Sequence, residues 1–136
     1  MGSPRPLSKK QVTEMVARGE SLAGLDLRGT DLSGICFDGI DLSEAKLAEC
    51  NLSRSTFRNA DLRATSMWHS DCTDAVFDGA NLEEADFDLA ILDGCTLKGA
   101  KIRKAIFPFS RVSLQTLHNA VRSGKRVRME RRSTGD

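Results

Sequence analysis

The chain of 136 residues is 40% hydrophobic, enough for one folded core, and its 20 Lys and Arg against 19 Asp and Glu leave a net charge of +1. Bulk charge therefore points neither to nucleic acid nor to a strongly acidic partner. No apolar run approaches the roughly 18 residues of a membrane span and no charged-then-apolar leader opens the chain, so a cytoplasmic location is the expectation.

Residues 1–20 read as an N-terminal tail and a capping helix. Ser8-Lys9-Lys10-Gln11 matches a capping box, with Leu7 and Val12 placed for a hydrophobic staple. Val12, Met15 and Val16 form one apolar stripe, and Gly19 ends it.

A period of five governs residues 21–109. Every fifth residue from Leu22 is apolar: Leu22, Leu27, Leu32, Phe37, Leu42, Leu47, Leu52, Phe57, Leu62, Met67, Cys72, Phe77, Leu82, Phe87, Leu92, Leu97, Ile102 and Phe107. Two residues before each lies a smaller series, among them Ala45, Cys50, Ser55, Ala60, Thr65, Ser70 and Ala75. The other three phases are mostly polar or glycine. An α-helix would scatter a period of five around its axis, and a flat strand would flip it from face to face. The pattern closes if the chain turns a corner about every five residues, sending one large and one small side chain inward. Successive coils then pair as parallel β-bridges about 4.8 Å apart, the layout of a solenoid. The first units carry the larger Leu25, Thr30, Ile35 and Ile40 at the small position, which predicts wider N-terminal coils. Met67 and Cys72 replace leucines at centres, so looser packing is expected there.

Pro108 interrupts the repeat. Ser113 caps a second helix carrying Leu114, Leu117 and Val121, with Gly124 as its stop, so residues 110–124 read as a C-terminal capping helix. Residues 125–136 read as a basic, flexible tail. The run Arg122, Lys125, Arg126, Arg128, Arg131 and Arg132 can contact phosphates but has no aromatic interleaving.

Ala60-Asp61-Leu62-Arg63-Ala64, Ala80-Asn81-Leu82-Glu83-Glu84 and Ala85-Asp86-Phe87-Asp88-Leu89 resemble the A-[D/N]-[L/F]-x-x unit of pentapeptide-repeat proteins. The resemblance covers 22–108 and implies an all-β, right-handed quadrilateral β-helix with four units per coil. On that reading the chain makes about four and a half coils, a rod of roughly 22 Å at sheet spacing, with short α-helical caps at both ends. Phe37, Phe57 and Phe77, 20 residues apart, would stack in one column. The expected core is Leu32, Phe37, Leu42, Leu47, Leu52, Phe57, Leu62, Phe77, Leu82, Phe87, Leu92 and Leu97.

No catalytic, cofactor or metal site is expected. The two histidines, His69 and His118, have no cysteine or serine partner, and there is no P-loop, dinucleotide fingerprint or zinc-protease motif. Asp41, Asp61, Asp71 and Asn81 occupy the outward phase before each centre, where the family needs a polar residue. Cys36 alone among Cys36, Cys50, Cys72 and Cys95 takes an outward phase, and four free thiols are expected.

Two features suggest binding. No Lys or Arg occurs across 64–97, which holds Asp71, Asp74, Asp78, Glu83, Glu84, Asp86, Asp88 and Asp93; bases dominate from Lys98 onward. Trp68, the sole tryptophan, takes an outward phase beside His69. The candidate surface is Trp68, His69, Glu83, Glu84, Asp86 and Asp88. The reading is a non-catalytic protein-interaction or scaffold module of bacterial type, its partner a protein rather than nucleic acid or membrane. A homodimer through an end of the solenoid is a further option. Residues 7–34 are similar to the start of repeat domains in type VI secretion accessory proteins. The alternative is a DNA mimic that binds a topoisomerase, since some members of the family resemble B-DNA in width and charge and protect gyrase from quinolones.

Overall fold

The computed structural model describes residues 7–131. The first helix, α1 (Lys9–Ala17), opens on the capping box: the Gln11 amide donates to Ser8 Oγ at 3.2 Å, and the Ser8 amide to Gln11 Oε1 at 2.8 Å. Gly19, with φ of 70°, ends it, as the amides of Gly19 and Glu20 donate back to Val16 and Met15 at 2.9 and 3.0 Å. Val12 is fully buried in the same core as the repeat.

Parallel bridges then run from Asp26↔Lys46 to Asp86↔Ile106, each joining residues 20 apart. Each centre from Leu22 to Phe87 donates its amide to the next rung, as Leu22 does to Asp41 O at 2.8 Å and Phe57 to Val76 O at 2.7 Å. A short turn closes each corner, as from Ile40 N to Phe37 O at 3.0 Å. With a corner every five residues and a bridge every 20, each coil has four sides. Side one holds the centres Leu22, Leu42, Leu62, Leu82 and Ile102. Side two holds Leu27, Leu47, Met67, Phe87 and Phe107, side three Leu32, Leu52, Cys72 and Leu92, and side four Phe37, Phe57, Phe77 and Leu97.

The last residue of each corner is left-handed whatever its identity. Ala64 has φ of 56°, His69 and Leu89 both 59°, and Gly94 79°. At Gly79 and Gly94 a second demand is added. The Asn59 and Asp74 side chains of the rung below occupy the space that a Cβ would need.

All twelve expected core residues are buried. Phe37, Phe57 and Phe77 stack at 4.9 and 5.1 Å with planes 7° apart, as the 20-residue spacing requires. Phe77 meets Phe87 edge-on at 5.6 Å, and Phe87 stacks on Phe107 at 5.3 Å, so one aromatic chain links side four to side two. Polar groups in the small inward series are satisfied locally: Ser55 Oγ donates to Leu32 O at 2.7 Å, and Ser70 Oγ to Met67 O at 2.7 Å. Met67 and Cys72 are fully buried.

Beyond Phe107 the chain leaves the repeat and forms α2 (Leu114–Ser123), where the Thr116 amide donates to Ser113 Oγ at 3.1 Å and Gly124 is left-handed. Leu117 and Ala120 join the common core. The segment expected to be a flexible basic tail differs as far as Arg131. Val127 is fully buried; its amide donates to Cys95 O at 2.9 Å and its carbonyl accepts from Gly94 N at 2.8 Å. Met129 N donates to Asp93 Oδ1 at 2.8 Å. The last rung has no following rung at Gly94 and Cys95, and this segment supplies the missing backbone partners. Arg132 lies outside the described residues. No helix among the described residues is long and apolar enough to cross a membrane.

Candidate functional site

Five-residue units place outward residues in straight columns along the rod, one per rung. Ser66 bridges Asp86, and the His69 amide donates to Asp88 O at 2.9 Å, so Asp86 and Asp88 lie one rung beyond Trp68 and His69. The rings of Trp68 and His69 are 5.1 Å apart and tilted by 33°. The structure thus brings four expected surface residues together on side two and its corner with side three. Glu83 and Glu84 stand at the opposite corner of side two, beside Arg103 and Lys104. Trp68 is 38% exposed.

The outward Asp and Asn have a local task that the sequence reading reduced to polarity. Asp41, Asn51, Asp61, Asp71, Asn81 and Asp86 each accept, through Oδ1, the amide two residues on, at 2.9–3.1 Å. This side-chain turn fixes the corner. On side four, Asp38 and Asp78 instead accept amides one rung away, Arg58 N at 2.8 Å and Lys98 N at 3.3 Å.

Ion pairing splits the rod. Among the described residues the pairs are Arg18–Glu20, Arg28–Asp26, Arg58–Asp38 and Arg63–Asp61, all in the N-terminal half. Arg28 and Arg63 grip their aspartates with two nitrogens each; the hydrogen bonds from Arg28 hold the Asp26 carboxyl at about 2, and those from Arg63 lower Asp61. None of the acids of 64–97 and none of the bases from Lys98 to Arg131 joins an ion pair among those residues.

A groove of about 740 Å³ lies between α1 and the corner of sides three and four, lined in part by Lys9, Thr13, Ile35, Cys36 and Arg54. Cys36 is exposed, and Cys50, Cys72 and Cys95 are buried; all four are free thiols. Burial pushes the Cys72 thiol up to about 12 and raises Cys50 and Cys95. His69 lies at a mid-rod corner and His118 on α2. Among the described residues no three His, Cys, Asp or Glu side chains are grouped to hold a metal ion.

The pentapeptide-repeat family model matches eight copies over residues 35–67 and 70–107. The chain belongs to the pentapeptide-repeat family. Its rod is therefore a right-handed quadrilateral β-helix, and members of the family are generally structural or interaction modules. Among solved structures, a pentapeptide repeat protein of the Arabidopsis thaliana thylakoid lumen is 35% identical, with a TM-score of 0.57 over 57% of this chain and 54% of its own. One from the cyanobacterium Cyanothece 51142 is 30% identical, with a TM-score of 0.59 over 60% and 56%. One from Nostoc PCC 7120 is 29% identical, with a TM-score of 0.63 over 76% and 88%. The chain spans a little over half the length of the first two. A search of curated proteins finds no match.

Proposed function

We propose that this pentapeptide-repeat protein is a non-catalytic interaction module that presents side two to a basic protein partner. The observation that carries the reading is the meeting of the exposed Trp68 with Asp86 and Asp88, whose carboxylates have no ion-pair partner among the described residues. A rigid rung fixes these groups before binding, so little side-chain entropy is lost on association. Aromatic side chains are favoured anchors, and an unpaired acidic rim steers a basic partner. The proposal includes about four and a half coils, with α1 and α2 closing the two ends. Type VI secretion, to which residues 7–34 point, is one setting for such a module.

The test is capture from host extract, with Trp68→Ala and Asp86→Lys/Asp88→Lys as controls. Loss of the same basic protein from both controls is expected; retention in both overturns the reading. The acidic band also favours the DNA-mimic alternative. Against it, the outward column Arg63, Glu83, Arg103 and the column Asp26, Lys46, Ser66, Asp86 mix signs, where a mimic would keep one. Gyrase supercoiling assayed with and without a quinolone separates the two: no effect is expected, and protection would favour the mimic.

A further inference from the structure

Two exposed apolar side chains in polar phases of the repeat line one groove. Leu89 takes a corner and Ile91 an outward bridging position, and both are exposed, at 45% and 41%. They line a groove of about 280 Å³ on side three and its corner with side two, together with His69, Asp71 and Arg111. Asp71 bridges directly to Ile91 one rung on, and Arg111 follows at the C-terminal end. An apolar pair is therefore flanked along the rod by an acid on one side and a base on the other. Asp71 spends Oδ1 on the amide and hydroxyl of Thr73, which leaves Oδ2 available. Arg111 gives Nε to Glu130 O at 2.9 Å, which leaves its terminal nitrogens available.

We propose that a second copy of the chain docks antiparallel in this groove. A twofold axis near Ile91 sets Leu89 and Ile91 against their counterparts and each Asp71 against Arg111 of the other copy. The order acid, apolar, base is self-complementary only when the rods run in opposite directions; a parallel pair would stack acid on acid. An ordinary stable interface takes about 800 Å² per partner, close to a tenth of this chain's 7821 Å² surface. The inference concerns side three and does not rest on the reading of side two.

Sedimentation velocity of the full chain over a thousand-fold concentration range, up to about 1 mM, tests it. The expected species shifts from 14.9 kDa to twice that mass and reverts in high salt. Leu89→Glu should abolish the shift without unfolding the rod, because Glu44, Glu49 and Glu84 already occupy the same left-handed phase. Asp71→Asn keeps the side-chain turn, as Asn51 and Asn81 do, and should weaken association about tenfold, one charge pair's worth at each end. Asp71→Arg and Arg111→Asp should each be monomeric, whereas their equimolar mixture should dimerise, since both cross-pairs are then restored. A monomer at every concentration, a dimer indifferent to Leu89→Glu, or no gain on mixing the two charge variants would overturn the proposal. A complex with a different basic protein at this groove, and none with itself, would do the same.

Discussion

At Asp26 the carboxylate accepts hydrogen bonds from the Arg28 amide, Nε and terminal nitrogen, at 3.2, 2.9 and 2.7 Å. These bonds favour the charged form and hold the group at about 2, below the ordinary value near 3.9. The folded chain therefore takes up this proton later than the unfolded chain does on acidification. The corner's contribution is fully present above about pH 4 and is lost as pH falls through about 2. Carboxyl NMR titration should show Asp26 moving back toward 3.9 in Arg28→Gln; an unchanged midpoint would mean that the ion pair is not formed. The thiols divide by the same logic of environment. Cys36 is exposed, while burial holds Cys50, Cys72 and Cys95 protonated. A chromogenic disulfide reagent should titrate one thiol rapidly in the native protein and four after denaturation; three fast thiols would contradict the register.

The five-residue unit is the element of this fold, and its inward half was legible in the sequence because burial needs only size and phase. Phe57, Leu62 and Leu82 stand where the period puts them. The outward half was less legible. A period shows that Asp61 is outward but not that its Oδ1 fastens the Arg63 amide, since a hydrogen bond depends on corner dihedrals that composition does not encode. Leu89 and Ile91 could have been noticed as apolar residues in polar phases, but their meeting with Arg111 depends on where the chain goes after Pro108. Val127 was hidden for a related reason: charge dominated a segment whose backbone completes the last rung. At this scale the corner itself makes a prediction. A left-handed residue with a Cβ is strained, yet glycine also gains more freedom in the unfolded chain. Ala64→Gly should therefore stabilise by only about 0.5–1 kcal/mol. Gly94→Ala should destabilise more than Gly29→Ala, because Asp74 lies over the first and nothing lies over the second. Chemical denaturation of the three variants reads both effects, and equal losses at the two glycines would contradict the packing.

Across the whole molecule each rung touches only its neighbours, so an isolated stack of this kind could open from either end one layer at a time. Two features oppose that. The aromatic chain from Phe37 through Phe57, Phe77 and Phe87 to Phe107 ties successive rungs and crosses from one side to another. The segment at Val127 pairs with Gly94 and Cys95 and packs on the same core as Val12 at the other end. Leu62 sits between these ends, fully buried, so Leu62→Ala should cost about 2–5 kcal/mol, as removal of buried leucine side chains does. Asp61→Ala, one residue earlier, loses the corner bond and the Arg63 pair on a partly exposed surface and should cost about 1 kcal/mol. If the rod unfolds as one unit, the slowest-exchanging amides of rungs on both sides, those of Leu42 and Leu82, should lose protection equally in Leu62→Ala. Native-state hydrogen exchange measures this rung by rung. A loss confined to one side of Leu62 would show instead that the rod opens from its ends and that the aromatic chain does not couple its halves.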